Sequence, residues 1–323
     1  MITATKMLYL YVETPLHAGV GSGLSSIDLP IQRERTTQYP MIQGSGIKGK
    51  LRSAAYAATE GEQTSWSKDE VNIVFGPEEG SEHAGALIVG DARILLFPVR
   101  SLNGVFAYTT SYDVLNRFMR DINRGNETMT WQLPEEQQSG HIAHITQKSR
   151  VTVNGKVVLE EFSFDAEQKF DAEQKSLVDK IATWLAKNAL PQSDEYAYWR
   201  NKVLNSLVIL PENDFRDFVL YATEIITRVR IDRDKKTVER GALWTEEHLP
   251  TDTLLYVPIY ATQARKMKKE SDKKVPAMLA EEILQKAATL EQSQNGYIQL
   301  GGDETVGCGM VHMRWEQQNG INN

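Results

Sequence analysis

The chain has 323 residues, with 36 Lys and Arg against 43 Asp and Glu, a net charge of −7, and one cysteine, Cys308. A lone cysteine excludes an intramolecular disulfide and any metal site that needs two cysteine ligands from one chain. Apolar and charged fractions of 41% and 24% are those of ordinary soluble globular proteins, and no apolar run nears the ~18 residues of a membrane span.

The opening stretch MITATKMLYLYVETPLH alternates like a strand and lacks the small-residue cleavage site of a signal peptide. A cytoplasmic, reduced setting is expected, with no membrane partner. The acidic total argues mildly against nucleic acid, whose phosphates need local Lys and Arg. Charge is unevenly spread, however: residues 32–52 hold Arg33, Arg35, Lys48, Lys50 and Arg52 against Glu34 alone. That segment favours a local anion site, its basic side chains gathered on one concave face.

In chain order, residues 5–13 predict a half-buried strand, with Met7, Tyr9 and Tyr11 opposite Leu8, Leu10 and Val12. A polar, Gly- and Ser-rich stretch over 14–43 is longer than an ordinary loop, and such loops are functional or disordered. Next comes a helix capped by Ser45, with Ile47, Leu51, Ala54, Ala55 and Ala58 as its apolar stripe. Strands follow at 86–97 and 104–109, and an amphipathic helix at 112–124 on Val114, Leu115, Phe118 and Ile122. The middle, about 125–200, is polar and helix-prone, with one clear face on Leu177, Ile181, Trp184 and Leu185. There FDAEQK at 164–169 recurs at 170–175, far too short a repeat for a solenoid. A helix from Asp214 carries Phe215, Phe218, Val219, Ala222 and Ile225, and leads into a long hairpin with a mixed-charge RDKK tip. A strand at 254–260, a helix at 276–290, and a strand–loop–strand unit at 297–315 close the chain. Hairpins and insertions between strands and helices suggest an α+β fold, a small sheet with helices on one face, rather than a doubly wound sheet.

Four constellations bear chemistry. In GGDETVGCG, at 301–309, the glycines that include Gly301 and Gly302 permit positive φ and close backbone approach. The loop is either a tight turn or a seat for nucleic-acid backbone, and it lacks the strand–helix context of a dinucleotide or P-loop site. In GSGIKGKLR, at 44–52, a helix start with Lys48 and Arg52 four residues apart suits successive phosphates, or is simply a solvated basic edge. His17 and Asp28 lie in the long loop and are of the types that move a proton from a ribose hydroxyl, though such pairs often only hydrogen-bond a loop. In WTEEH, Trp244 to His248, Glu246, Glu247 and His248 suit metal binding or proton transfer, or form an acidic hairpin edge that discourages strand pairing.

Taken together, TPLHAGVGSGLSSIDLPIQRERTTQYPMIQGSGIKGKLRSA (14–54), FGPE (75–78), GALIVGDARILLFPVRSLNGVFAY (85–108), RIDRDKKTVERGALWTEEHLP (230–250) and GGDETVGCG (301–309) resemble the RAMP superfamily. Within it, they are most similar to the Cas7-like, subunit-four family of the type III-B CRISPR (Cmr) complex. The blocks keep one order across nearly the whole chain.

That resemblance implies a ferredoxin-like (RRM-related) palm in a single elaborated domain over 1–323. It also implies a helical insertion at about 125–200 and a thumb hairpin at about 229–252. Copies of such subunits form a filament on CRISPR guide RNA with other Cmr subunits, and complementary single-stranded target RNA is cut at regular intervals. Position by position, Asp28 corresponds to the catalytic aspartate and metal site, His17 to the TPLH histidine and Glu246 to an acidic thumb residue implicated in cleavage. The family often has tyrosine where this chain has His248. Lys48, with Arg52, Lys50, Gly301 and Gly302, would hold RNA backbone. The implied chemistry is an endoribonuclease using Mg²⁺ or Mn²⁺. A catalytically silent RNA scaffold of the same complex, and a stand-alone guide-processing endonuclease, are the alternatives.

Overall fold

The computed structural model describes residues 2–23, 26–60, 64–78, 83–125, 129, 131–134, 140–170, 176–264 and 278–317. The first strands are β1 (Ala4–Val12), β2 (Met41–Ile42), β3 (Leu87–Val89), β4 (Ala92–Arg100) and β5 (Phe106–Ser111). The middle supplies β6 (Ile142–Ile145), β7 (Thr152–Val153), β8 (Lys156–Leu159), β9 (Phe162–Glu167) and β10 (Leu207–Leu210). Last come β11 (Glu224–Ile231), β12 (Val238–His248), β13 (Leu254–Ala261), β14 (Tyr297–Gln299) and β15 (Met310–Trp315). The helices are α1 (Gly44–Ala57), α2 (Lys68–Phe75), α3 (Tyr112–Ile122), α4 (Leu177–Asn188), α5 (Ala197–Ser206), α6 (Glu212–Tyr221) and α7 (Ala280–Ser293). None of them is long and apolar enough to cross a membrane among the described residues.

One sheet runs β14-β15-β1-β13-β4-β5-β10-β6-β9-β8-β7, with β2 beside β4 and β3 beside β13, while β11 and β12 form a separate hairpin. Strand β4 joins its two halves. Arg93, Ile94 and Leu96 pair with β13, Phe97 to Arg100 pair with β5, and the register shifts between Leu254 and Leu255. Such an irregularity bends a sheet.

Strand β1 is covered on both faces, not half-buried: every residue from Met7 to Val12 is at most 2% exposed. On one face the Tyr9 ring meets Phe118 of α3 at 6.3 Å and Trp184 of α4 at 6.4 Å, and Phe118 meets Tyr256 at 5.0 Å. The alternate residues Leu8 and Leu10 point the other way, toward α7, which packs on β1, β13 and β15. Helices therefore lie on both faces of the sheet rather than on one. The α+β class stands.

Other local departures have clear causes. Gln43, not Ser45, is the N-cap residue of α1. The Gly44 amide donates to Asp91 Oδ1 at 2.8 Å, and a Cβ on Gly44 would lie 2.4 Å from the Val89 carbonyl oxygen. The helix start is thus pressed onto the β3–β4 turn, with its first amide already satisfied. The stripe of Ile47, Leu51, Ala54 and Ala55 is buried as expected. Helix α2 begins with a capping box, in which Ser67 Oγ accepts from the Glu70 amide at 3.2 Å and Glu70 accepts in return from Ser67 N at 2.7 Å.

In the polar middle, residues 142–167 form strands β6 to β9. α4 then buries Leu177, Ile181 and Leu185. Residues 171–175 of the second hexapeptide and 276–277 of the expected last helix lie outside the described residues. Helix α6 stops at Tyr221. Ile225 belongs to β11 and is 49% exposed, so the hairpin starts ahead of 229. Truncating Phe118, which is fully buried, to alanine is expected to cost about 3–5 kcal/mol in urea unfolding. Val229→Ala, on the exposed hairpin, should stay within about 0.5 kcal/mol.

Candidate active site

The base of the β11–β12 hairpin organises the site. The long loop after β1 runs along the free edge of β12 as an irregular added strand. Leu29 N donates to Thr245 O and Glu247 N to Leu29 O, both at 3.0 Å, and Leu16 and Leu249 exchange bonds of 3.0 and 2.8 Å. Glu247 fastens the loop from below. It is 2% exposed and accepts from Ile31 N at 3.0 Å, Arg33 Nη2 at 2.5 Å and Thr223 Oγ1 at 2.9 Å. Arg33 Nη1 also donates to the Gln38 and Val219 carbonyls, each at 2.9 Å. This is a buried charge pair in which both partners make further hydrogen bonds, the condition under which such a pair is tolerated.

Asp28 sits on the exposed rim of that added strand. Its Oδ2 accepts from Thr245 N at 2.8 Å and Thr245 Oγ1 at 3.0 Å, and its own amide donates to Thr245 Oγ1 at 3.1 Å. These bonds to the charged form hold the carboxyl below its ordinary range, so Asp28 is an ionised, solvent-facing carboxylate. His17 is fixed from the same strand, because its Nδ1 lies 2.7 Å from the Glu247 carbonyl. A carbonyl only accepts, so Nδ1 carries the hydrogen and Nε2 is the basic nitrogen of the neutral ring.

The glycines of the terminal loop serve His17. Gly302 N donates to His17 O at 2.9 Å. Gly301 has φ +81°, and a Cβ there would lie 2.3 Å from His17 O.

Glu246 points to the opposite face of β12 from Glu247. It is 5% exposed and accepts from Arg228 Nε at 2.9 Å and Trp244 Nε1 at 2.7 Å. Burial alone would raise its pKa, but the bonds from Trp244 and Arg228 overcome that and hold it well below the carboxylate range. The fully buried His248 places Nε2 3.4 Å from Glu246 and its ring 5.3 Å from that of His17. Burial lowers its pKa against the pull of Glu246, so the ring is neutral. Its Nδ1 has no hydrogen-bond partner among the described residues. Ligand atoms of Glu246, His248 and Asp303 lie within 4.8 Å of one another, the one such group among the described residues. Arg228 already occupies it as a cation, with Nη2 3.8 Å from Asp303 Oδ2.

A family model described as the RAMP superfamily matches residues 9–312. The chain belongs to the RAMP superfamily. It is 39% identical over 308 residues, 94% of this chain and 92% of the relative, to the Pyrococcus furiosus protein named CRISPR system Cmr endoribonuclease Cmr4. It is 26% identical over 324 residues, 97% of each chain, to the CRISPR system CMR subunit Cmr4 of Saccharolobus solfataricus. The crystal structure of oligomeric Cmr4 from Pyrococcus furiosus superposes with a TM-score of 0.67, at 30% identity and covering 98% and 99% of the two chains.

In this RAMP protein, His17, Glu246 and His248 come together on one face of β12, with Asp28 on its edge. The helix residues stand apart from them. Lys48 Nζ donates to the Leu87 carbonyl at 2.8 Å, the Arg52 guanidinium lies 5.5 Å over the Tyr56 ring, and Lys50 is 3.5 Å from Glu304 of the glycine loop. Two readings of the sequence are corrected. Arg33 is consumed by Glu247 instead of sharing a basic face, and Glu247 is a buried ion-pair partner instead of an acidic edge. The sequence motifs did not point to Thr245, Arg228 or Asp303. Pairing TRVRID against the strand of WTEEH sets Arg228 opposite Trp244 and hence diagonal to Glu246, the signal that would have found it. Glu247→Ala, which strands Arg33, is expected to lose about 3–5 kcal/mol of unfolding free energy. Glu304→Ala, at an exposed pair, should lose under about 1 kcal/mol.

Proposed function

We propose that this chain is a guide-RNA-binding backbone subunit of a type III-B CRISPR effector complex, and that it cleaves complementary single-stranded target RNA at regular intervals. The observation that carries the reading is Asp28: an exposed, ionised carboxylate locked to the hairpin base by Thr245, on the strand whose Glu247 carbonyl also fixes His17. Two findings on the Pyrococcus relative support it: that protein is named an endoribonuclease, and its crystal structure is of an oligomer. On this reading copies stack head-to-tail along the guide in the cytoplasm, together with other Cmr subunits. Each copy is one elaborated RAMP domain with its insertion at about 125–200 and the β11–β12 hairpin, Glu224 to His248, as its thumb.

The reaction is transesterification. The target's 2′-hydroxyl attacks the adjacent phosphorus, the P–O5′ bond breaks, and a cyclic 2′,3′-phosphate and a 5′-hydroxyl result. Asp28 positions the attacking hydroxyl, Nε2 of His17 takes its proton, and water protonates the departing O5′. Glu246 and His248 shape and orient the His17 side of the site. Lys48, Arg52 and Lys50, with the backbone of Gly301 and Gly302, hold guide RNA.

Asp28 fits a hard divalent cation such as Mg²⁺ or Mn²⁺, which binds through one or two carboxylates with waters and substrate phosphates completing its shell. Bound there, the cation would stabilise charge on the reacting phosphate. The Glu246–His248–Asp303 group fits it poorly, since Arg228 holds that place.

The test is an assembled complex given end-labelled complementary RNA and Mg²⁺ or Mn²⁺. An evenly spaced ladder is expected from wild type, and a loss of at least ~100-fold in rate with target binding retained in Asp28→Asn. Tight target binding with no ladder from wild type would instead make the chain an RNA scaffold. Lys48→Ala is expected to weaken guide retention and flatten its dependence on salt. Unchanged retention would remove Lys48 from the guide site.

A further inference from the structure

The nuclease reading names no protein cation beside the divalent ion where negative charge builds on the phosphate. The other basic side chains named so far are engaged or lie away from the site. Arg33 is buried against Glu247, Lys48 is bonded to the Leu87 carbonyl, and Arg52 rests on Tyr56. Arg228 differs from these. It is 28% exposed, its Nε is held by Glu246 at 2.9 Å, and Nη2 stands 3.8 Å from Asp303 and 3.9 Å from Cys308 Sγ. Nη1 makes no hydrogen bond among the described residues.

Resting on the nuclease reading, we infer that Arg228 is the residue that contacts the target RNA phosphate at the cleavage site. The buried carboxylate of Glu246 fixes the guanidinium through Nε, which leaves Nη1 without a hydrogen bond among the described residues and Nη2 with only the long contacts to Asp303 and Cys308 Sγ. A planar guanidinium edge matches two phosphate oxygens. The Asp303 contact is an ion pair at 3.8 Å, too long for a hydrogen bond. A phosphate therefore displaces a weak partner while the strong one keeps the side chain aimed. Glu246 acts here as a positioning residue, its charge kept by the Trp244 and Arg228 bonds.

Two measurements on the assembled complex separate this from a purely structural role. Arg228→Ala is expected to slow cleavage about 100-fold at saturating target. Added guanidinium ion should restore part of the rate to Arg228→Ala but none to Asp28→Asn, and Arg228→Lys should fall in between. In a complex bound to non-cleavable 2′-deoxy target, Arg228→Ala should lower the salt slope of target binding by about 0.7–1. Wild-type cleavage by Arg228→Ala would overturn the inference, and so would a slowed variant that guanidinium does not rescue and whose salt slope is unchanged. If wild type cut nothing, the nuclease reading would fall, and the salt slope would still decide whether Arg228 meets a phosphate.

Discussion

The buried carboxylate of Glu247 is the point on which the site depends. It gathers a loop amide at Ile31, the Arg33 guanidinium and the Thr223 hydroxyl. Three stretches distant in sequence are joined there: the loop after β1, the segment before β11, and β12. Once they are joined, Leu29 pairs with β12 and Asp28 falls beside Thr245. The same strand offers its Glu247 carbonyl to His17. An uncompensated charge at Glu247 would loosen the loop that carries both Asp28 and His17.

Two adjacent glutamates on β12 thus take different work because a strand alternates its faces. Glu247 faces inward and spends its charge on Arg33, and Glu246 faces the glycine loop and spends its charge on Arg228. Asp28 keeps its charge by a third route: it is exposed and stabilised chiefly by hydrogen bonds from Thr245. Three carboxylates lie within a few residues of one strand, and only the rim one is open to solvent. That division is the physical ground for giving Asp28 the chemistry and the glutamates the support.

Much of this was legible in the chain. Apolar periodicity located β1, α1, α3, α4 and β13, and the paired runs around RDKK marked the hairpin. The motifs named Asp28, His17, Glu246 and His248 as well. What periodicity did not carry was partnership. Two-sided burial of β1 depends on helices far along the chain, α3 and α4 on one face and α7 on the other, so alternation alone suggests one wet face. The glycines at 301 and 302 read as ligand-seating residues, yet their close approach is to the His17 backbone. Arg33 looked like a free cation because its partner lies 214 residues away.

The most direct measurement is a structure of the assembled complex holding 2′-deoxy target RNA, which keeps the scissile phosphate in place. We expect that phosphate between the Asp28 rim and Arg228, with the carbon that would bear the 2′-hydroxyl turned toward Asp28. A target strand running past the far side of the hairpin, with Asp28 and Arg228 both facing solvent, would contradict the assignment of this site.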